Sequence, residues 1–116
     1  MNIKLIKAAN IPVENKGKNK IQVEKLLPDP IPGMEIDKMI FSPESRFKGT
    51  PHINRTKEYL YCMEGRVKIY VKKNQFELSK GDLLVFPGDE AHAYENPSPS
   101  KTATCFSVVV FAPLGI

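Results

Sequence analysis

The stretch "PHINRTKEYLYCMEGRV", residues 51–67, gathers His52, Asn54, Glu58 and Gly65 into a run that otherwise reads as a β-strand. Imidazole and carboxylate are the side chains that hold first-row divalent metals, while an amide oxygen is a weaker and harder ligand. The chain has only two histidines, and the second, His92, stands in "PGDEAHAYEN". Two readings follow. The stretch is a metal site in which one ligand has been exchanged for asparagine, or it is a metal-free pocket whose histidines hydrogen-bond to Glu58 or to a small ligand. In the second case a buried Glu58 needs hydrogen-bond partners of its own. Cys62 and Cys105 stay outside this chemistry. Both sit in apolar, strand-like runs, their spacing matches no zinc pattern, and they read as buried free thiols.

The elements that must position these residues are strands. No long segment repeats the i, i+3, i+4, i+7 pattern of an amphipathic helix; a short piece at Ile3–Ala9 is the one helical candidate. Alternating runs recur instead, at 20–27, 34–42, 58–64, 66–73, within 74–82 (a turn, a short strand and a second turn), 83–87, 92–96 and 102–112, divided by proline, glycine and asparagine. "ENKGKNK", residues 14–20, reads as a solvated hairpin loop. The ten prolines fall between the runs, as sheet pairing requires. Eight or more short strands with no helix long enough for a βαβ crossover imply an all-β fold, a sandwich or a jelly-roll barrel. Phe76, Leu78, Leu84, Phe86, Phe106, Val108 and Val110 are expected in the core, and Gly65 and Gly81 at turns. Tyr59, Tyr61 and Met63 alternate with Glu58, Leu60 and Cys62, so the two sets face opposite ways.

At 116 residues the chain is expected to form one domain, 1–116. It holds no apolar run of membrane-spanning length, and its start lacks the apolar core of a signal peptide, so a cytoplasmic protein is expected. The net charge is +4, but lysines cluster only in 14–20, without interleaved aromatics. That is too sparse for a nucleic-acid surface; the overall field modestly favours an anionic small molecule.

The two histidine-bearing stretches resemble the two motifs of the cupin superfamily. The first motif runs G-x5-H-x-H-x3-E-x6-G, and here reads His52, Ile53, Asn54, three residues, Glu58, six residues, Gly65. The second runs G-x5-P-x-G-x2-H-x3-N, and here reads Gly81, five residues, Pro87, Gly88, Asp89, two residues, His92, three residues, Asn96. The resemblance covers about residues 34–112. Three positions depart from it. Arg46 stands where the first motif opens on glycine, with Gly49 nearby; Asn54 replaces the second histidine; Asp89 replaces a glycine, a mild change because aspartate tolerates a left-handed turn. The same stretches are similar to the cupin domain at the C-terminus of some helix-turn-helix regulators.

The resemblance implies a double-stranded β-helix, the cupin jelly-roll barrel, with a site on its inner face. Residues two apart on a strand share a face, so the family's H-x-H pair aims two ligands at one point. Carried over, the inward set is His52, Asn54, Glu58 and His92, holding manganese, iron, nickel or zinc if a metal is present. Tyr94, two residues after His92, lines the pocket or packs in the core, and Tyr94 and Asn54 are the ligand-binding candidates. The expected function is a small-molecule-binding cupin. A metal-dependent enzyme of dioxygenase or isomerase type, and a sensing module for a transcriptional regulator, are the alternatives. An isologous homodimer is expected, with the Tyr59–Tyr61–Met63 face as its surface.

Overall fold

The computed structural model describes residues 3–112. Among them ten strands form: β1 (Val13–Lys16), β2 (Ile21–Lys25), β3 (Glu35–Phe41), β4 (Ser45–Lys48), β5 (Thr56–Glu64), β6 (Arg66–Val71), β7 (Asn74–Ser79), β8 (Leu83–Pro87), β9 (His92–Asn96) and β10 (Ala103–Phe111). They form a six-stranded sheet ordered β1-β2-β3-β10-β5-β8 and a four-stranded sheet ordered β4-β9-β6-β7. All named pairings are antiparallel. The all-β expectation holds, and the jelly-roll barrel with it. The helical candidate at Ile3–Ala9 does not form; a single 3-10 turn, Ala8–Asn10, takes its place. No helix among the described residues is long and apolar enough to cross a membrane.

The eight expected strands are present, and two more appear. "ENKGKNK" is a hairpin whose first arm, β1, pairs with β2 through Glu14–Val23 and Asn15–Gln22. Gly17, Lys18 and Asn19 turn the chain in left-handed conformations. The other addition, β4, pairs with β9, setting Phe47 opposite Tyr94.

The core lies between the sheets. Ile21 and Val23, Met39 and Phe41, Leu60 and Cys62, and Val67, Ile69 and Val71 come from alternate positions of β2, β3, β5 and β6, and all are buried. Both cysteines are free and buried. On β10 the expected face is reversed. Ala103, Cys105, Ser107 and Val109 point inward, while Phe106, Val108 and Val110 are half-buried on the outer face. From Cys105 onward this strand is apolar at nearly every position, so alternation does not choose a face. The barrel chooses, because small side chains inward leave room for a cavity. Phe76 is also outside the core, 40% exposed on edge strand β7, although Leu78 is buried as expected. Leu84 packs partly against the core and Phe86 is buried within it.

Asn96 closes the far end of the barrel. Its buried amide nitrogen donates to the carbonyls of Phe41, Ser42 and Lys101, and its side-chain oxygen accepts from Ser98 N. This asparagine of the second motif is therefore a fastener between β9 and β3.

Candidate metal centre

Glu58 stands on the inner face of β5, in register with Phe86 of β8 and Val109 of β10, and is fully buried. Its Oε2 accepts a hydrogen bond from the Tyr94 hydroxyl at 2.6 Å. Its other oxygen, Oε1, is buried with no hydrogen-bond partner. It faces His52 Nε2 at 3.5 Å and His92 Nε2 at 3.8 Å. His52, Glu58 and His92 each offer a ligand atom within 4.8 Å of the others, and this group can hold a metal ion.

The tautomers follow from the partners. His92 Nδ1 lies 2.7 Å from the Glu90 carbonyl oxygen, which only accepts, so Nδ1 carries the proton. His52 Nδ1 lies 2.8 Å from Glu35 Oε2, a carboxylate oxygen, and carries its proton for the same reason. Both Nε2 lone pairs of the neutral rings are then turned toward Glu58 Oε1. Three electron-rich atoms facing one another in a buried site repel unless a cation stands among them. A proton fills that role in part. The Glu58 carboxylate raises the His52 pKa above the ordinary histidine value; burial opposes the shift, and Glu35 adds to it. A divalent metal fills it with the donor set that zinc and ferrous sites use.

Tyr94 is buried, as a pocket-lining or core residue at this position would be. It stacks on Phe47 with ring centroids 5.0 Å apart and meets His92 edge-on at 5.4 Å. Burial first, then the Glu58 carboxylate, push its pKa well up, so the phenol stays a hydrogen-bond donor. That donor is committed to Glu58. Tyr94 therefore orients the carboxylate.

Asn54 is not brought to the site. β5 begins at Thr56, and His52–Asn54 precede it in a turn where Arg55 takes a left-handed φ of 66°. The rule that residues two apart share a face applies within strands, so it does not carry to this turn. Asn54 is exposed and does not line the cavity, whereas its neighbours Ile53 and Thr56 do. Asp89 also behaves differently from the expectation. Its φ is not left-handed, and its carboxylate instead accepts from Arg55 N at 3.2 Å. Together with His52 N to Gly88 O and Gly88 N to Thr56 O, both 2.9 Å, this bond fastens the first motif's turn to the second motif's.

The centre opens into a cavity of about 500 Å³. Its walls include residues that motif reading missed: Lys25, Glu35, Asp37 and Ser107. Lys25 Nζ lies 2.8 Å from Asp37 Oδ1 and 3.3 Å from Glu35 Oε1. The nearer contact lies off the hydrogen-bonding direction, for Asp37 Oδ1 has no hydrogen-bond partner. Burial is the largest influence on Asp37 and raises its pKa against the pull of Lys25. The signal for these residues was present in strand parity. Glu35 and Asp37 share a face with Met39 and Phe41, and Lys25 shares one with Ile21 and Val23.

A family model described as "Cupin domain" matches residues 38–109, more than half of the chain. No curated protein matches. Among solved structures, the cupin domain of an XRE-family transcriptional regulator from Enterobacter cloacae is similar, at 24% identity and a TM-score of 0.72, covering 79% of this chain and 97% of that one. An HTH_3-family transcriptional regulator from Vibrio cholerae is similar at 22% identity and a TM-score of 0.69; the match covers 79% of this chain and 51% of the regulator. A predicted oxalate decarboxylase from Thermotoga maritima is similar at 14% identity and a TM-score of 0.73, covering 93% of this chain and 99% of that one. At these identities the likeness lies in the fold.

Proposed function

Because the chain belongs to the cupin family, we propose that it is a metal-binding member that takes a small polar or anionic molecule in its barrel, with His52, Glu58 and His92 as the metal ligands. The observation that carries this reading is the orphaned Glu58 Oε1, buried and facing two Nε2 atoms whose rings are held from behind. Two imidazoles and one carboxylate suit manganese, iron, nickel or zinc, and the set is the one associated with ferrous sites. A metal there supplies Lewis acidity toward a ligand oxygen. The chain supplies the rest: Tyr94 fixes Glu58, the Glu90 carbonyl fixes His92, and Lys48 brings positive charge to the cavity wall, where Lys16 is paired with Glu14. Elemental analysis of protein purified without chelator tests the reading. Stoichiometric metal supports it, and metal-free protein that also fails to take up added metal contradicts it.

A second reading, a sensing module that works with a separate regulator, is supported by the likeness to the two regulators' folds. Thermal stabilisation by a metabolite, with no turnover of it, favours sensing. Turnover favours a metal-dependent enzyme of dioxygenase or isomerase type.

We also propose an isologous homodimer formed through the outer face of the six-stranded sheet. Two apolar rows cross it in register: Val108, Tyr59 and Val85, then Phe106, Tyr61 and Leu83. Leu83 is 57% exposed, Val85 44% and Tyr61 43%. A contiguous apolar face rich in tyrosine suits a two-fold contact with its own copy.

A further inference from the structure

The two histidines are held by different means. His92 opens strand β9, and its ring is braced by the carbonyl of Glu90, two residues back in the same chain segment. His52 lies outside every strand, in the segment before the turn at Arg55. Its backbone N donates to Gly88 O, which fixes the peptide and leaves the ring free to rotate. The ring is held by Glu35, which opens β3 on another part of the barrel. Glu35 divides its two oxygens, Oε2 to His52 Nδ1 at 2.8 Å and Oε1 to Lys25 Nζ at 3.3 Å. Lys25, at the end of β2, also lies 2.8 Å from Asp37.

We propose that Glu35 is a positioning residue, anchored by Lys25, that holds His52 as the Nδ1–H tautomer and turns its Nε2 lone pair toward Glu58. The inference rests on the metal-binding reading for its purpose, but not for its geometry. Free histidine side chains favour the other tautomer, with the proton on Nε2. Without an acceptor at Nδ1 the His52 ring would present N–H to the site in place of a lone pair. A carboxylate behind a ligating imidazole both sets the tautomer and strengthens the donor. Lys25 keeps Glu35 aimed: with one oxygen on the ammonium, the other is directed at the imidazole. Lys25→Met therefore loosens the same bond without touching His52.

The test has two readouts. Imidazole nitrogen chemical shifts of the metal-free protein, taken at a pH where the rings are neutral, report the His52 tautomer. Wild type is expected to show Nδ1–H, and both Glu35→Leu and Glu35→Gln to move toward Nε2–H, because the single amide oxygen of glutamine is claimed by Lys25 and its NH2 then faces His52 Nδ1. Calorimetric titration with nickel is expected to show affinity lowered about 10- to 100-fold in Glu35→Leu and Glu35→Gln, and less in Lys25→Met. Melting curves identify any variant that fails to fold, and Glu35→Gln and Lys25→Met carry the test if Glu35→Leu does. An unchanged His52 tautomer in both Glu35→Leu and Lys25→Met overturns the inference and leaves the metal reading standing. Wild type that takes up no nickel overturns the metal reading, and the tautomer then decides the inference alone.

Discussion

Gly49 lies so close to His92 that a β-carbon on it would stand 2.5 Å from the imidazole Nε2 and 2.6 Å from Cδ2. Its φ is not in the left-handed region, so the close approach, and not the backbone, asks for glycine here. The same residue donates from its backbone N to the His92 carbonyl at 3.0 Å, which locks the approach in place. Gly49→Ala is expected to push the His92 ring out of line and lower nickel affinity about tenfold or more. Its melting temperature should change little, since the ring can turn within the cavity. Titration of the alanine variant checks this, and wild-type affinity would show that His92 does not need its present position.

The pH dependence runs in opposite directions for the metal-free and metal-bound protein. The Glu58 carboxylate raises the His52 pKa above its unfolded value of about 6.5. Protonated His52 therefore stabilises the metal-free fold fully below about pH 6.5, and that contribution is lost as pH rises through the raised folded pKa. Metal binding needs the neutral ring, so affinity should rise through the same interval, by roughly tenfold per pH unit for each proton displaced. Melting of the metal-free protein and nickel titration, each between pH 5 and 8.5, measure the two slopes. Slopes of the same sign would contradict the assignment to His52.

Asn54 is exposed in the turn before β5, so it has no part in the centre. Asn54→His, which would restore the family's second histidine, is expected to leave nickel affinity within about twofold of wild type, because side chains that do not converge do not chelate. A large gain in affinity would mean that the turn rearranges to bring residue 54 inward. The motif keeps three residues that can hold a metal ion, and its fourth position is turned away from them.

Tyr61 and Leu83 are paired neighbours on the outer apolar face, Leu83 on the edge strand β8. The double substitution Tyr61→Glu, Leu83→Glu is expected to convert a dimer to a monomer while leaving metal affinity unchanged, because both residues lie on the side of the sheet away from the cavity. Light scattering at micromolar concentration checks the state. A monomeric wild type would remove this proposal.

Much of this architecture was legible in the sequence, for reasons that also mark where it was not. β5 reads clearly because Glu58, Leu60 and Cys62 alternate with Tyr59, Tyr61 and Met63, so polarity separates the faces. Gly65, with φ of 73°, must turn where the motif places it, since a β-carbon there would meet Thr102 O at 2.8 Å. β10 does not read, because Phe106, Val108 and Val110 are at least as apolar as the inward Cys105, Ser107 and Val109, and only the barrel's need for space inside orients the strand. The convergence of His52, Glu58 and His92 followed from motif spacing. The place of Asn54 did not, because spacing counts residues and cannot see that the chain is in a turn until Thr56. Glu35, Lys25 and Asp37 belong to no motif. Their clue was charge on the core-facing side of β2 and β3, which gains its meaning only when those strands are seen to wall the cavity.

Glu58 Oε1, with the two Nε2 atoms, is the proposed cation site. Calorimetric titration of metal-free wild type and Glu58→Gln with nickel at pH 8 tests it most directly. The substitution keeps an acceptor oxygen for the Tyr94 hydroxyl and removes the negative charge. One nickel per chain for wild type, with affinity reduced at least about 100-fold in Glu58→Gln, is the result expected for loss of a charged ligand. Nickel binding of equal strength in the two proteins, or none in wild type, would contradict it.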